Sequence, residues 1–66
     1  MRVIVNGEER SIDEGSTLDA LVTTLGLNAG PIVVQRNDEI IEKSRLDQVS
    51  LSDGDRIELV RFVGGG

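Results

Sequence analysis

The residues with chemistry to offer stand at the end of the sequence, Gly64, Gly65 and Gly66, directly after its most strand-like segment. Stability does not ask for them. Glycine loses more backbone entropy on ordering than any other residue and has no side chain to bury, so a terminal run of it is expected to fray. Such a run offers a thin lead carrying an α-carboxylate. Three extended residues reach about 10 Å, enough to thread a channel too narrow for any side chain. A carboxylate becomes a useful electrophile once one of its oxygens is made a leaving group. Transfer of the adenylyl group from ATP to that oxygen, with release of pyrophosphate, gives an acyl-adenylate that a sulfur or nitrogen nucleophile can attack. The bland alternative is a disordered, idle end.

The remaining inventory decides whose active site performs that step. The chain has 66 residues, with no Cys, His, Trp or Tyr. Thiolate nucleophiles, imidazole bases, disulfides and Cys/His zinc sites are therefore excluded. Asp and Glu are plentiful but fall in no catalytic or calcium-loop spacing, so no catalytic residue, metal site or bound cofactor is expected. ATP and Mg would belong to an activating partner, with the Gly66 carboxylate as its substrate group. The net charge of −5 and pI near 4.4 argue against nucleic acid, whose phosphates reward Lys and Arg clusters. They suit a partner with a basic face. Apolar runs such as Pro31-Ile32-Val33-Val34 are too short to span a membrane. No signal-peptide core follows Met1. A cytoplasmic chain, monomeric when free, is expected.

A small domain must hold the tail. Arg2-Val3-Ile4-Val5 is β-branched and meets Asn6-Gly7, a dipeptide suited to a type I′ hairpin turn; a second strand is predicted over about Glu9 to Asp13. Leu18, Leu21, Val22 and Leu25 form one apolar helical stripe. Ser16 or Thr17 can cap its start, and Ser16 with Asp19 makes a weak capping box. Gly26 sits where a left-handed residue ends the helix, with Leu27 folding back. This helix of about ten residues is too short to stand alone in water. After the loop Asn28-Ala29-Gly30-Pro31, a strand is predicted over Ile32 to Gln35. Asn37-Asp38 then turns the chain into Glu39-Ile40-Ile41. Ser44 to Gln48 reads as one helical turn, and Asp53-Gly54-Asp55 leads into a last strand, Arg56 to Val63. The order β-β-α-β-(β)-β, with one helix across a mixed sheet, is the β-grasp or ubiquitin-like fold, an α+β architecture. The domain would span residues 1–63 and the tail residues 64–66.

The last strand departs from a simple two-faced pattern. With Ile57 and Leu59 facing inward, alternation turns Val60 and Phe62 outward, although both are apolar. First and last strands are neighbours in a β-grasp sheet, so outward Ile4 is expected beside them, making a docking patch of Ile4, Val60 and Phe62. A β-bulge near Val60 would instead turn these residues into the core. Arg61 and Arg56 add positive charge near the tail. Arg61 is read as a solvated strand charge or as a contact for an acidic partner residue or a nucleotide phosphate.

The whole chain resembles the ThiS family, the small ubiquitin-like sulfur carriers of thiamin biosynthesis. The resemblance rests on the length, Asn6-Gly7, Ile32-Val33-Val34-Gln35-Arg36-Asn37, Asp53-Gly54-Asp55 and Arg61-Phe62-Val63-Gly64-Gly65-Gly66. It implies that a ThiF-type adenylyltransferase activates Gly66 and that a sulfur-donor enzyme helps convert it to a thiocarboxylate. A ThiG-type thiazole synthase would take the sulfur, with Gly64 and Gly65 threaded into both partners. Molybdopterin-synthase small subunits are similar carriers, usually longer and with an aromatic- and Pro-rich stretch before the tail; here the only proline is Pro31. Carriers for other thiolation pathways share the tail. So would a protein modifier joined through Gly66 to lysines, although Lys43 is the only lysine available for self-linked chains. A plain binding module with an idle tail is the remaining reading.

Overall fold

A computed structural model of the chain describes residues 1–27 and 30–62. The first strand, β1 (Arg2–Val5), turns at Asn6-Gly7 into β2 (Glu8–Ser11). Both turn residues have positive φ, 49° and 82°, as a type I′ turn requires. Val5 therefore pairs with Glu8, and β2 begins and ends earlier than the sequence pattern suggests. Helix α1 (Leu18–Thr24) follows, shorter than the apolar stripe implies. Thr17 is its cap, its hydroxyl accepting the Ala20 N–H at 3.1 Å. Ser16 instead donates to the Asp13 carbonyl at 2.6 Å, so it does not cap the helix. The far end closes with Gly26 N–H on the Thr23 carbonyl and Leu27 N–H on the Val22 carbonyl, at 2.9 and 3.0 Å. This is a Schellman motif, made possible by φ +72° at Gly26.

Strand β3 (Ile32–Arg36) turns at Asn37-Asp38 into β4 (Glu39–Ile41), and a 3₁₀ helix over Lys43–Gln48 leads toward β5 (Arg56–Arg61). The 3₁₀ segment covers the helical turn expected over Ser44 to Gln48 but starts one residue earlier and runs to about two 3₁₀ turns, and it places Leu46 in the core. The sheet has five strands in the order β2-β1-β5-β3-β4. Strands β1 and β5 run parallel, and the other neighbours are antiparallel. Leu18, Leu21 and Val22 of α1 close over Val3, Val5, Val34, Ile57 and Leu59, and Leu46 and Leu51 complete the core. Burying each such side chain contributes about 1.5–3 kcal/mol, which is how a seven-residue helix holds its form. This is the β-grasp architecture, and it places the strand that leads to the tail at the centre of the sheet.

Candidate functional site

Strand β5 is the element that precedes the glycines in the sequence. Its side chains alternate without a bulge: Ile57 and Leu59 are buried, while Arg56, Glu58 and Val60 are exposed. Val60 is 51% and Phe62 53% exposed, so both face solvent and the bulged alternative does not occur. Val60 lies directly opposite Val33, and the Phe62 N–H donates to the Pro31 carbonyl at 3.2 Å. Val33, Val60 and Phe62 therefore make an apolar strip on the sheet face away from α1. Ile40, 64% exposed, stands opposite Gln35 on the same face, one diagonal step from Val33.

Ile4 does not join this strip. It is on the same face and 37% exposed, but the parallel register pairs it with Arg56. Val60 is four residues further along, about 13 Å at about 3.3 Å per residue. Around Ile4 lie Arg2, Glu9, Asp53 and Gly54 instead. Alternation assigned the correct face to Ile4, but the register of a parallel pair brought together from opposite ends of the chain sets its height. Val33 takes the place expected for it.

Two asparagines fix β5 from either side, and neither role was foreseen beyond the turns. The Asn6 side chain accepts the Leu59 N–H at 2.8 Å and donates to the Leu59 carbonyl at 3.2 Å. A side-chain amide here completes a ladder that the backbone of β1 has already left. On the other side, the Asn37 carbonyl oxygen of the side chain accepts the Arg56 N–H at 2.9 Å. Its backbone N–H donates to the Arg56 carbonyl at 2.8 Å. Both asparagines have positive φ, a conformation Asn tolerates better than most residues. The usable signal was an Asn at each turn next to a strand, read only for its turn geometry.

Asp55, 6% exposed, anchors the start of β5. Its carboxylate accepts the Ser52 N–H at 2.8 Å and Arg36 Nε at 2.9 Å on one oxygen, and Asn37 Nδ2 at 3.0 Å on the other. Burial alone would raise its pKa, but the Ser52, Asn37 and Arg36 hydrogen bonds and the Arg36 charge outweigh it and hold the carboxyl below its ordinary value. Arg56 pairs with Asp38 at 3.0 Å, so it is committed to the β3–β4 turn. Arg61 has no carboxylate within ion-pairing reach among the described residues.

The expected tail, Gly64, Gly65 and Gly66, and the last residue of the expected strand, Val63, lie outside the described residues, as do Asn28 and Ala29. Among the described residues no group of His, Cys, Asp or Glu side chains could hold a metal ion, and no helix is long and apolar enough to cross a membrane.

Fold and exposed strip together define a ubiquitin-like protein that presents the final strand of its sheet. The model of the ThiS family matches residues 3–66, and the chain belongs to that family. The sulfur carrier protein ThiS of Bacillus subtilis is 46% identical over 50 residues, 76% of each chain. A thiazole synthase of Paramagnetospirillum magneticum is 44% identical over 66 residues, all of this chain but 20% of that protein. The chain spans the same small share, 20%, of a second thiazole synthase, from Magnetococcus marinus, at 35% identity. The crystal structure of the thiamine biosynthesis protein ThiS from Geobacter metallireducens matches with TM-score 0.82 at 30% identity, over 100% of both chains.

Proposed function

We propose that this chain is a sulfur carrier of thiamin biosynthesis whose Gly66 carboxylate is the group that carries the sulfur. A carboxylate oxygen attacks the α-phosphate of ATP in a ThiF-type partner, and pyrophosphate leaves. A sulfide-level nucleophile from a sulfur-donor enzyme then displaces AMP, leaving a thiocarboxylate on Gly66. A thiazole synthase takes that sulfur. The folded domain docks through Val33, Val60 and Phe62, and residues 64–66 thread the partner's channel.

The observation that carries this reading is a family match that runs through Gly66, joined to an exposed strip leading into the glycines. Matching segments within proteins named thiazole synthase support that enzyme as the acceptor. The test is ATP–pyrophosphate exchange by a ThiF-type enzyme with the intact chain and with a variant lacking Gly65 and Gly66. Exchange should require the intact chain, while the urea midpoints of the two agree. Equal exchange with the shortened chain, or none with the intact one, would refute the reading.

A further inference from the structure

Among the described residues, the ladder of β5 has an unused rung. In an antiparallel pair, alternate residues turn their N–H and C=O toward the partner strand. Phe62 N–H bonds to Pro31 and Asn37 N–H to the Arg56 carbonyl, so the even-numbered residues of β5 face β3. The odd-numbered ones face β1. Ile57 meets it there, its carbonyl accepting the Asn6 N–H at 2.9 Å. Leu59 meets the Asn6 side chain. Arg61 comes next on that edge, but the chain has turned away at Asn6-Gly7. No described residue bonds to the Arg61 N–H or carbonyl.

We propose that an extended backbone segment of the activating enzyme pairs with Arg61 on this edge, adding a strand to the sheet next to Asn6. This rests on the carrier reading above and specifies how the partner holds the tail. An exposed sheet edge with unpaired amides templates an incoming strand. The flanking chemistry describes the occupant. Val60 and Phe62 offer apolar contact on one face, and the Arg61 side chain offers on the other a cation that pairs with no carboxylate among the described residues, so the segment carries apolar residues and an acidic one in alternation. A second copy of this chain fits poorly. Two-fold pairing there would set Arg61 against Arg61, and like charges directly opposite are destabilising.

The geometry also supplies a clean variant. Proline at 61 removes an N–H that no described residue uses, and proline is tolerated where a strand's N–H faces solvent. Arg61→Pro should keep a urea midpoint close to that of Arg61→Ala. It should raise KM for the chain in adenylation about tenfold over Arg61→Ala, roughly one hydrogen bond in a water-excluded interface. Amide exchange gives the direct readout. The Arg61 N–H should exchange freely in the isolated chain and become protected when a ThiF-type enzyme is added without ATP. An adenylated chain whose Arg61 amide stays unprotected, or an Arg61→Pro variant no worse than Arg61→Ala, overturns the strand pairing and leaves the carrier reading standing. Protection that appears with rising concentration of the chain alone would make the occupant a second copy and overturn it too. If the intact chain is not adenylated at all, the carrier reading fails first.

Discussion

Replacing Asp55 by Asn tests the electrostatic anchor of the last strand. The change is nearly isosteric, so the cost comes from hydrogen bonds rather than volume. With its side-chain oxygen kept toward Arg36 Nε and the Ser52 N–H, the new amide nitrogen faces Asn37 Nδ2, a donor against a donor. Asn37 cannot flip to help, because its oxygen already accepts the Arg56 N–H. One bond is lost outright, costing about 1–3 kcal/mol, and the bond to Arg36 changes from an ion pair to a charge–neutral contact while the Ser52 bond loses its charge; together these add about 1–2 kcal/mol. The total is about 3 kcal/mol. A 66-residue domain has about 3–10 kcal/mol in all, so the urea midpoint at pH 7 should fall by about 3 M for a slope near 1 kcal/mol/M. The pH dependence has a definite sign. A carboxyl held below its unfolded value contributes stability that is present above that value and lost as pH falls through its folded one. The gap between wild type and variant should therefore be full at pH 6–7 and close as pH drops below the ordinary aspartate value of 3.8. A gap under about 1 kcal/mol at pH 7, or one that stays constant down to the acid transition, would refute the reasoning.

Phe62→Asp should leave the thermal midpoint within a few degrees of wild type, because surface changes cost about 0.5 kcal/mol or less. It should weaken binding to the adenylating enzyme at least tenfold by calorimetry; an unfolded variant would show Phe62 to be core. Gly26→Ala meets no neighbour within 4 Å but must adopt φ +72°, so about 1 kcal/mol of backbone strain should lower Tm by about 4–8 °C. No change would mean that the Schellman closure is not held in solution. Asn6→Gly keeps the left-handed turn but removes both bonds to Leu59. It should lower stability by about 1–3 kcal/mol and speed exchange of the Leu59 amide, and unchanged exchange there would contradict the clamp.

Much of the fold was legible because its signals are local. Asn6-Gly7 fixes a two-residue turn, Leu18, Leu21 and Val22 share one helical face, and Ile57 and Leu59 alternate with polar neighbours. The same alternation pointed Val60 and Phe62 outward, with a β-bulge as the competing reading, and the structure has no bulge there. What it could not supply was registration between distant segments. The height of Ile4 depends on how β1 slides along β5, and nothing near Ile4 encodes that offset. Asn6 and Asp55 were equally hidden. Their sequence context signals turns, while their bonds reach to Leu59, Arg36 and Asn37, partners that only the assembled sheet brings near. The exposed Ile40 was missed for a simpler reason: a three-residue strand gives too little alternation to assign its faces.

Whether Gly66 carries sulfur is decided by intact and fragment mass spectrometry of the chain incubated with ATP, a ThiF-type enzyme and a sulfur donor. One oxygen should be replaced by sulfur, located at Gly66 by fragmentation and confirmed by a thiol-selective alkylator, since oxidation of Met1 has nearly the same nominal mass gain. A tail that remains an ordinary carboxylate after the enzyme has consumed ATP would contradict it.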